Sequence, residues 1–146
     1  MTRREFEEHF RTEEQCQKYL FNKKWADGFI CPKCEQTECF NISSRNLYQC
    51  KLCNHQASVT AGTIMDKTRT PLTCWFLAIF LMINAKVKIT TKYLKTILNQ
   101  NGMGDRSYNT VWTIHHRIQT ILKEKGTIST FDEFFESEGF RTWRSK

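Results

Sequence analysis

The sequence has no apolar run long enough to cross a bilayer. The longest, Leu72 to Ile83, is interrupted by Thr73 and falls short of the roughly 20 residues a spanning helix needs, so no membrane segment is expected. Nor does it open on an apolar leader: MTRREFEEHFRTEEQ is charged throughout, unlike a signal peptide. Seven cysteines, an odd number, without a leader in front fit a reducing, intracellular compartment. Acids are scarce over one stretch. Residues 1–30 balance six basic against six acidic side chains, whereas residues 86–125 carry eight Lys/Arg against two acids, a local +6 within a formal net charge of +7. Such a block is an electrostatic footprint for nucleic acid or an anionic membrane; the plainer alternative is a solvated, lysine-rich face. With 40% hydrophobic and 13% aromatic residues over 146 positions, the chain can bury a core as one domain or two small ones.

The most specific pattern is CPKCEQTECFNISSRNLYQCKLC, Cys31 to Cys53. Two Cys-x-x-Cys pairs, Cys31/Cys34 and Cys50/Cys53, are separated by 15 residues, within the spacing read as a zinc site. Two residues between thiolates let one tight turn present both sulfurs to one metal, and two such turns complete a tetrahedral S4 shell. One zinc ion is therefore expected, structural rather than catalytic because no ligand position stays open. Two disulfides or four unrelated thiols are the alternative. Cys39 and His55 lie nearby but are expected outside the shell, and Cys16 is expected as a small buried hydrophobe.

The elements follow from caps and periodicity. Thr12-Glu13-Glu14-Gln15 is a capping-box pattern, with Cys16, Tyr19 and Leu20 behind it at helical spacing. Phe40-Asn41-Ile42 and Leu47-Tyr48-Gln49 flank the polar turn 43–46 as a hairpin, and His55 to Ile64 reads as a third strand ending at Gly62. Thr70 as N-cap and Pro71 at N1 open a helix that is apolar all round and should be the central packing helix. Thr90-Thr91 caps a second helix with Tyr93, Leu94, Ile97 and Leu98 inward, and Lys92 and Lys95 outward. After the turn Asn99 to Arg106, Ser107 caps a third helix to about Lys123, with Val111, Ile114, Ile118, Ile121 and Leu122 on one stripe and His115 packed at its edge. The tail carries two readings: a short helix capped at Thr130 with Phe131, Phe134 and Phe135, or a strand from Thr127 to Phe131 delivering Asp132 and Glu133.

Two helices joined by a glycine-containing turn outline a helix-turn-helix. The second presents Asn109, Thr113, His116, Arg117 and Thr120 opposite its apolar stripe. In that geometry Asn109 is a candidate to read adenine and Arg117 to contact guanine or phosphate. Tyr108 lies along the backbone, and Lys92, Lys95 and Arg106 neutralise phosphates around it; an ordinary solvated helix face is the other reading of these residues. Arg45 and Lys51 are the ribbon's candidates for phosphate. The expected fold class is α+β: an N-terminal helical segment (1–28), a small three-stranded zinc ribbon (29–66), an all-α helix-turn-helix bundle (67–125) and a tail (126–146).

Five ordered pieces carry a family resemblance: W-x-D-G-F-x-C-P-x-C at Trp25 to Cys34, Y-x-C-x-x-C at Tyr48 to Cys53, S-V-T-A-G-T-I at Ser58 to Ile64, T-x-T-P-L-x-x-W-F-x-A-I-F-L at Thr68 to Leu81, and H-x-R-I at His115 to Ile118. Over about residues 10–122 the chain resembles the N-terminal half of zinc-ribbon insertion-sequence transposases, whose eukaryotic relatives are the Merlin elements. The resemblance implies a zinc ribbon and a helix-turn-helix that bind transposon ends, with duplex DNA of the terminal repeats as partner. It also implies a cytoplasmic, nucleoid-associated setting in a bacterial host, and leaves room for a homo-oligomer. Family members continue into an RNase H-like domain in which three acidic residues hold two metal ions for strand cleavage and joining. Asp132 resembles the first of these acids. The turn Asn99 to Arg106 is longer than the family's usual one. Only 14 residues follow Asp132, whereas two-metal chemistry needs several converging carboxylates, so no complete catalytic site is expected in these residues. The reading is a DNA-binding protein of transposase type without most of a catalytic domain. Its rivals are a zinc-stabilised protein-interaction or transcription-regulator module, a residual nuclease, and a binder of single strands or RNA.

Overall fold

The computed structural model describes residues 2–42, 45, 47–61, 63–66, 69–85, 87–125, 128 and 130–136. Among these residues lie six helices and one three-stranded antiparallel sheet: α1 (Arg3–His9), α2 (Glu13–Lys24), β1 (Cys39–Ile42), β2 (Leu47–Cys50), β3 (Gln56–Ala57), α3 (Leu72–Asn84), α4 (Thr91–Gln100), α5 (Tyr108–Lys125) and α6 (Phe131–Glu136). The α+β class is as expected, and the N-terminal segment is two helices rather than one.

Local chemistry explains most boundaries. Thr12 and Gln15 form the reciprocal capping box, Thr12 Oγ1 accepting from the Gln15 amide and Gln15 Oε1 from the Thr12 amide. Thr90 caps α4 and Ser107 caps α5 by the one-way bond, their hydroxyls accepting from the Tyr93 and Thr110 amides. α4 ends in a Schellman motif: the Met103 amide donates to Leu98 O and the Gly102 amide to Asn99 O. Gly102 stands at φ +79°, a left-handed conformation that glycine adopts without strain.

Other boundaries differ from the sequence reading. β3 is two residues long, not the run His55 to Ile64. Beyond Ala57 the hydroxyls divert the chain: Ser58 Oγ accepts from the Ala61 amide, Thr63 Oγ1 donates to Thr60 O and accepts from the Met65 amide. These local bonds replace ladder bonds. Pro71 rather than Thr70 occupies the N-cap of α3, and the cap itself comes from α2: Glu13 accepts from the Leu72 amide (2.9 Å), the Thr73 amide (2.8 Å) and the Thr73 hydroxyl (2.9 Å). A carboxylate at a helix N-terminus satisfies orphan amides and meets the positive end of the helix dipole. Glu13→Ala is expected to lower stability by about 2 kcal/mol, with Glu13→Gln between it and the parent because an amide keeps one acceptor oxygen. Denaturant melts check this, and equal stability of all three would remove Glu13 as the cap.

Among the described residues the buried side chains form one continuous cluster. α3 is its axis, with Leu72, Cys74, Trp75, Phe76, Leu77, Ala78, Ile79 and Phe80 buried; Leu81, Met82 and Ile83 at its end are half-buried. Phe76 meets Phe10, Phe131 and Phe135 with ring centroids 5.1–5.5 Å apart, and Phe6 stacks on Phe80 at 4.5 Å. The tail is thus helical at residues 131–136, with Phe131, Phe134 and Phe135 buried, and the strand reading fails at Phe131; Thr127 lies outside the described residues. The apolar stripe of α5 is buried at Val111, Ile114, Ile118 and Ile121, with Leu122 half-buried. His115 is buried as well, its Nε2 against Ile89 O. Tyr93, expected inward, is 53% exposed; Leu94 and Leu98 fill that face of α4.

Candidate metal centre and nucleic-acid face

Each cysteine pair sits on a turn of the same build. The Cys31 amide donates to Gln36 O, the Glu35 amide to Cys31 O, and the Lys33 amide to Cys31 Sγ at 3.4 Å. The second turn repeats this at Cys50 with His55 O, the Asn54 amide and the Leu52 amide. Glu35 and Asn54 take the equivalent left-handed position, φ +65° and +62°, which lets each turn close behind its second cysteine. β1 and β2 pair in register from Cys39↔Cys50 to Ile42↔Leu47. Their connection falls on residues 43, 44 and 46, outside the described set, apart from Arg45.

The turns bring all four sulfurs within 4.8 Å of one another, with Cys31 Sγ to Cys53 Sγ at 3.6 Å and Cys34 Sγ to Cys50 Sγ at 3.5 Å. Tetrahedral zinc–thiolate bonds of about 2.3 Å set sulfurs roughly 3.8 Å apart, so this donor set fits one such ion. Burial would raise the Cys31 thiol, but the amides of Cys34 and Lys33 outweigh it and bring it down to about 7. At Cys50 the amides of Cys53 and Leu52 likewise prevail over burial and lower the thiol. Thiolates are the form a metal binds. At Cys34 the Gln36 amide lowers the thiol, but burial and the Cys50, Cys53 and Cys31 sulfurs outweigh it and push it up to about 12. Outside the cluster, burial pushes Cys16 and Cys74 up to about 12 and about 11, as expected of inert core thiols. Cys39 and His55 stay outside the cluster, and this is the one group of three or more potential ligands among the described residues.

Residues 11–56 match the transposase zinc-ribbon domain family. This stretch carries both turns and all four cysteines, so the cluster is the metal site of a transposase-type zinc ribbon positioned to bind one ion. The chain is also 26% identical over 144 residues to an uncharacterized protein in transposable element ISH50 of Halobacterium salinarum. That alignment covers 90% of the chain and 45% of the halobacterial protein, so the chain spans less than half of that relative's length. No solved structure gives a significant match. No helix among the described residues is long and apolar enough to cross a membrane.

The transposase-type ribbon is joined to the helical part through aromatic rings and two cations. Trp25 packs on Phe29 at 4.9 Å and Phe21 on Tyr48 at 4.8 Å. Lys24 Nζ donates to Ser58 O (2.8 Å) and Arg117 Nη1 to Ile64 O (2.7 Å). Arg117, singled out for DNA, thus also holds the stretch that leaves the ribbon.

The other sequence candidates divide by location. Asn109 and His116 are exposed and Thr113 half-buried on the outward side of α5, with Tyr108 exposed at its start and Lys92 exposed on α4. Lys95 binds Asp105 at 2.7 Å, which holds that carboxyl below its ordinary range, and Arg106 donates to Met103 O inside the turn. These two brace the α4–α5 connection. Arg45 is exposed; Lys51 lies 5.0 Å over the Phe40 ring and 3.9 Å from Glu38. Asp132 sits in the first turn of α6, accepts from the Tyr19 hydroxyl and lies 3.6 Å from Lys23 Nζ. It is on a helix docked against α3, not at a strand end, and shares Lys23 with Glu136.

Sequence reasoning passed over Trp112. It is 48% exposed and stacks on His116 with ring centroids 4.7 Å apart and planes 5° from parallel. The signal was present: position 112 lies three after Asn109 and four before His116, on the same helical stripe.

Proposed function

We propose that this chain binds duplex DNA, with α4 and α5 acting as a helix-turn-helix and the zinc ribbon as an auxiliary contact, in the manner of the end-binding part of an insertion-sequence transposase. The observation that carries the reading is the outward face of α5. Asn109, Thr113 and His116 line one side of a helix whose other side is buried, inside the stretch that holds eight bases against two acids. Hydrogen-bonding side chains on an exposed helix face within a cationic surround are what base readout and phosphate neutralisation require. The transposase zinc ribbon at residues 11–56 and the likeness to a transposable-element protein support the same reading.

Within it, Asn109, Thr113 and His116 face base edges, Tyr108 and Lys92 the flanking backbone, and Arg45 and Lys51 a second stretch of phosphates. Arg117 both contacts DNA and holds Ile64. Lys95 and Arg106 set the turn and add charge. Asp132 serves packing and ion pairing with α2.

The test is a salt titration of duplex binding with zinc-loaded protein. Neutralising about five phosphates gives a slope of log K against log salt of about −4.5, a loss on the order of 10²–10³-fold between 50 and 200 mM. An absent slope, or no duplex binding at low salt, would sink the proposal. Preference for a single strand over the same sequence as duplex would favour the single-strand rival.

A further inference from the structure

Trp112 is a costly residue to leave half in water. A helix surface position gains nothing from indole unless the ring meets something, and here the ring is already fixed in place by its stack on His116. The side-chain freedom that binding would otherwise remove is therefore largely lost before binding. The neighbouring positions deepen the apolar character of this stripe. Thr113 Oγ1 donates to Asn109 O at 3.0 Å and Thr120 Oγ1 to His116 O at 2.8 Å, so both threonines spend their hydroxyl protons on their own helix. Between Asn109 and Arg117 the stripe of α5 thus offers base edges an indole face beside threonines whose hydroxyl protons are already engaged.

In the major groove the group that meets such a surface is the thymine 5-methyl, which is recognised by apolar contact rather than by hydrogen bonds. We propose that Trp112, held by His116, is a specificity-determining residue that reads thymine methyl groups. The inference rests on the duplex-binding reading above. His116 acts as a positioning residue, and Asn109 and Arg117 supply the hydrogen-bonded positions on either side.

Duplexes enriched from a random-core pool by the full zinc-loaded chain provide the probe. Each thymine of the enriched site is then replaced in turn by deoxyuridine, which removes the 5-methyl alone. Wild-type protein is expected to lose about fourfold in affinity at one or two positions, the change that corresponds to burying one methyl group. Trp112→Ala should bind the parent site more weakly and show no further loss with deoxyuridine at those positions. Trp112→Phe should retain part of the discrimination, and His116→Ala should reduce it. If no thymine position responds in the wild type, or if the response is undiminished in Trp112→Ala, the proposal is overturned. It is also overturned if Trp112→Ala abolishes self-association while leaving methyl discrimination intact. Failure to enrich any duplex would instead count against DNA binding itself.

Discussion

Stripping zinc with a chelator is expected to unfold residues 31–57 and to weaken duplex binding by removing the auxiliary contact, while α3 and the helices around it stay folded. The sheet is too small to hold itself. β3 contributes two residues, and the buried residues described between positions 29 and 66 are few: Phe29, Cys31, Cys50, Ala57, Val59, Thr63 and Met65. A domain of this size lacks the apolar area to offset its chain entropy, so the metal supplies most of the folding free energy, on the order of 10–16 kcal/mol in small zinc-finger peptides. Cys50→Ser should reproduce the chelated state at ordinary zinc levels. Amide exchange would register the loss as deprotection of β1 and β2 with α3 still protected. Retention of ribbon protection after metal removal would show that zinc is not what holds it.

The second large effect concerns Phe76, which is fully buried at the meeting point of α1, α2, α3 and α6. Phe76→Ala is expected to cost about 3–5 kcal/mol through lost transfer energy and the cavity left behind, and to lower Tm on the order of 10 °C. Against a total stability of about 5–15 kcal/mol, this comes close to unfolding the helical part. Four rings from three other segments close on this one side chain and cannot all shift inward together, so little relaxation should soften the loss. A cost under about 1 kcal/mol would mean that the aromatic cluster is not the core it looks to be.

The parts of this molecule that could be read in sequence are those whose causes are local. Cys-x-x-Cys spacing, the capping box at Thr12, the caps at Thr90 and Ser107, and the buried stripe of α5 each follow from residues within about two turns of one another. Where the partner is remote, pattern fails. Glu13 caps α3 from 59 residues away, and Arg117 reaches Ile64 across 53; neither residue type nor spacing announces such a bond. The third strand is shorter than its pattern suggests because β-branched residues at Val59, Thr60 and Thr63 favour a strand by propensity, whereas the Ser58 and Thr63 hydroxyls form local turns that propensity does not count. Tyr93 and Trp112 show the other limit. Aromatic residues read as core by default, and an exposed one is recognised only when the surrounding surface is in view. For Asp132 the sequence left strand and helix open, and the neighbouring phenylalanines decided for the helix by packing on α3.

The hold on the stretch leaving the ribbon has a consequence for scale. Lys24 grips Ser58 from one side and Arg117 grips Ile64 from the other, so the ribbon is not a bead on a loose tether. On the proposed duplex-binding reading this amounts to a ruler: the separation of α5 and the ribbon is set by the protein, and both would engage only in one phase of a double helix that turns every 10–10.5 base pairs, a general property of B-form duplexes. The second contact then forms without the entropy of closing a flexible linker, which lets individually weak contacts at the zinc turns add to those of α5.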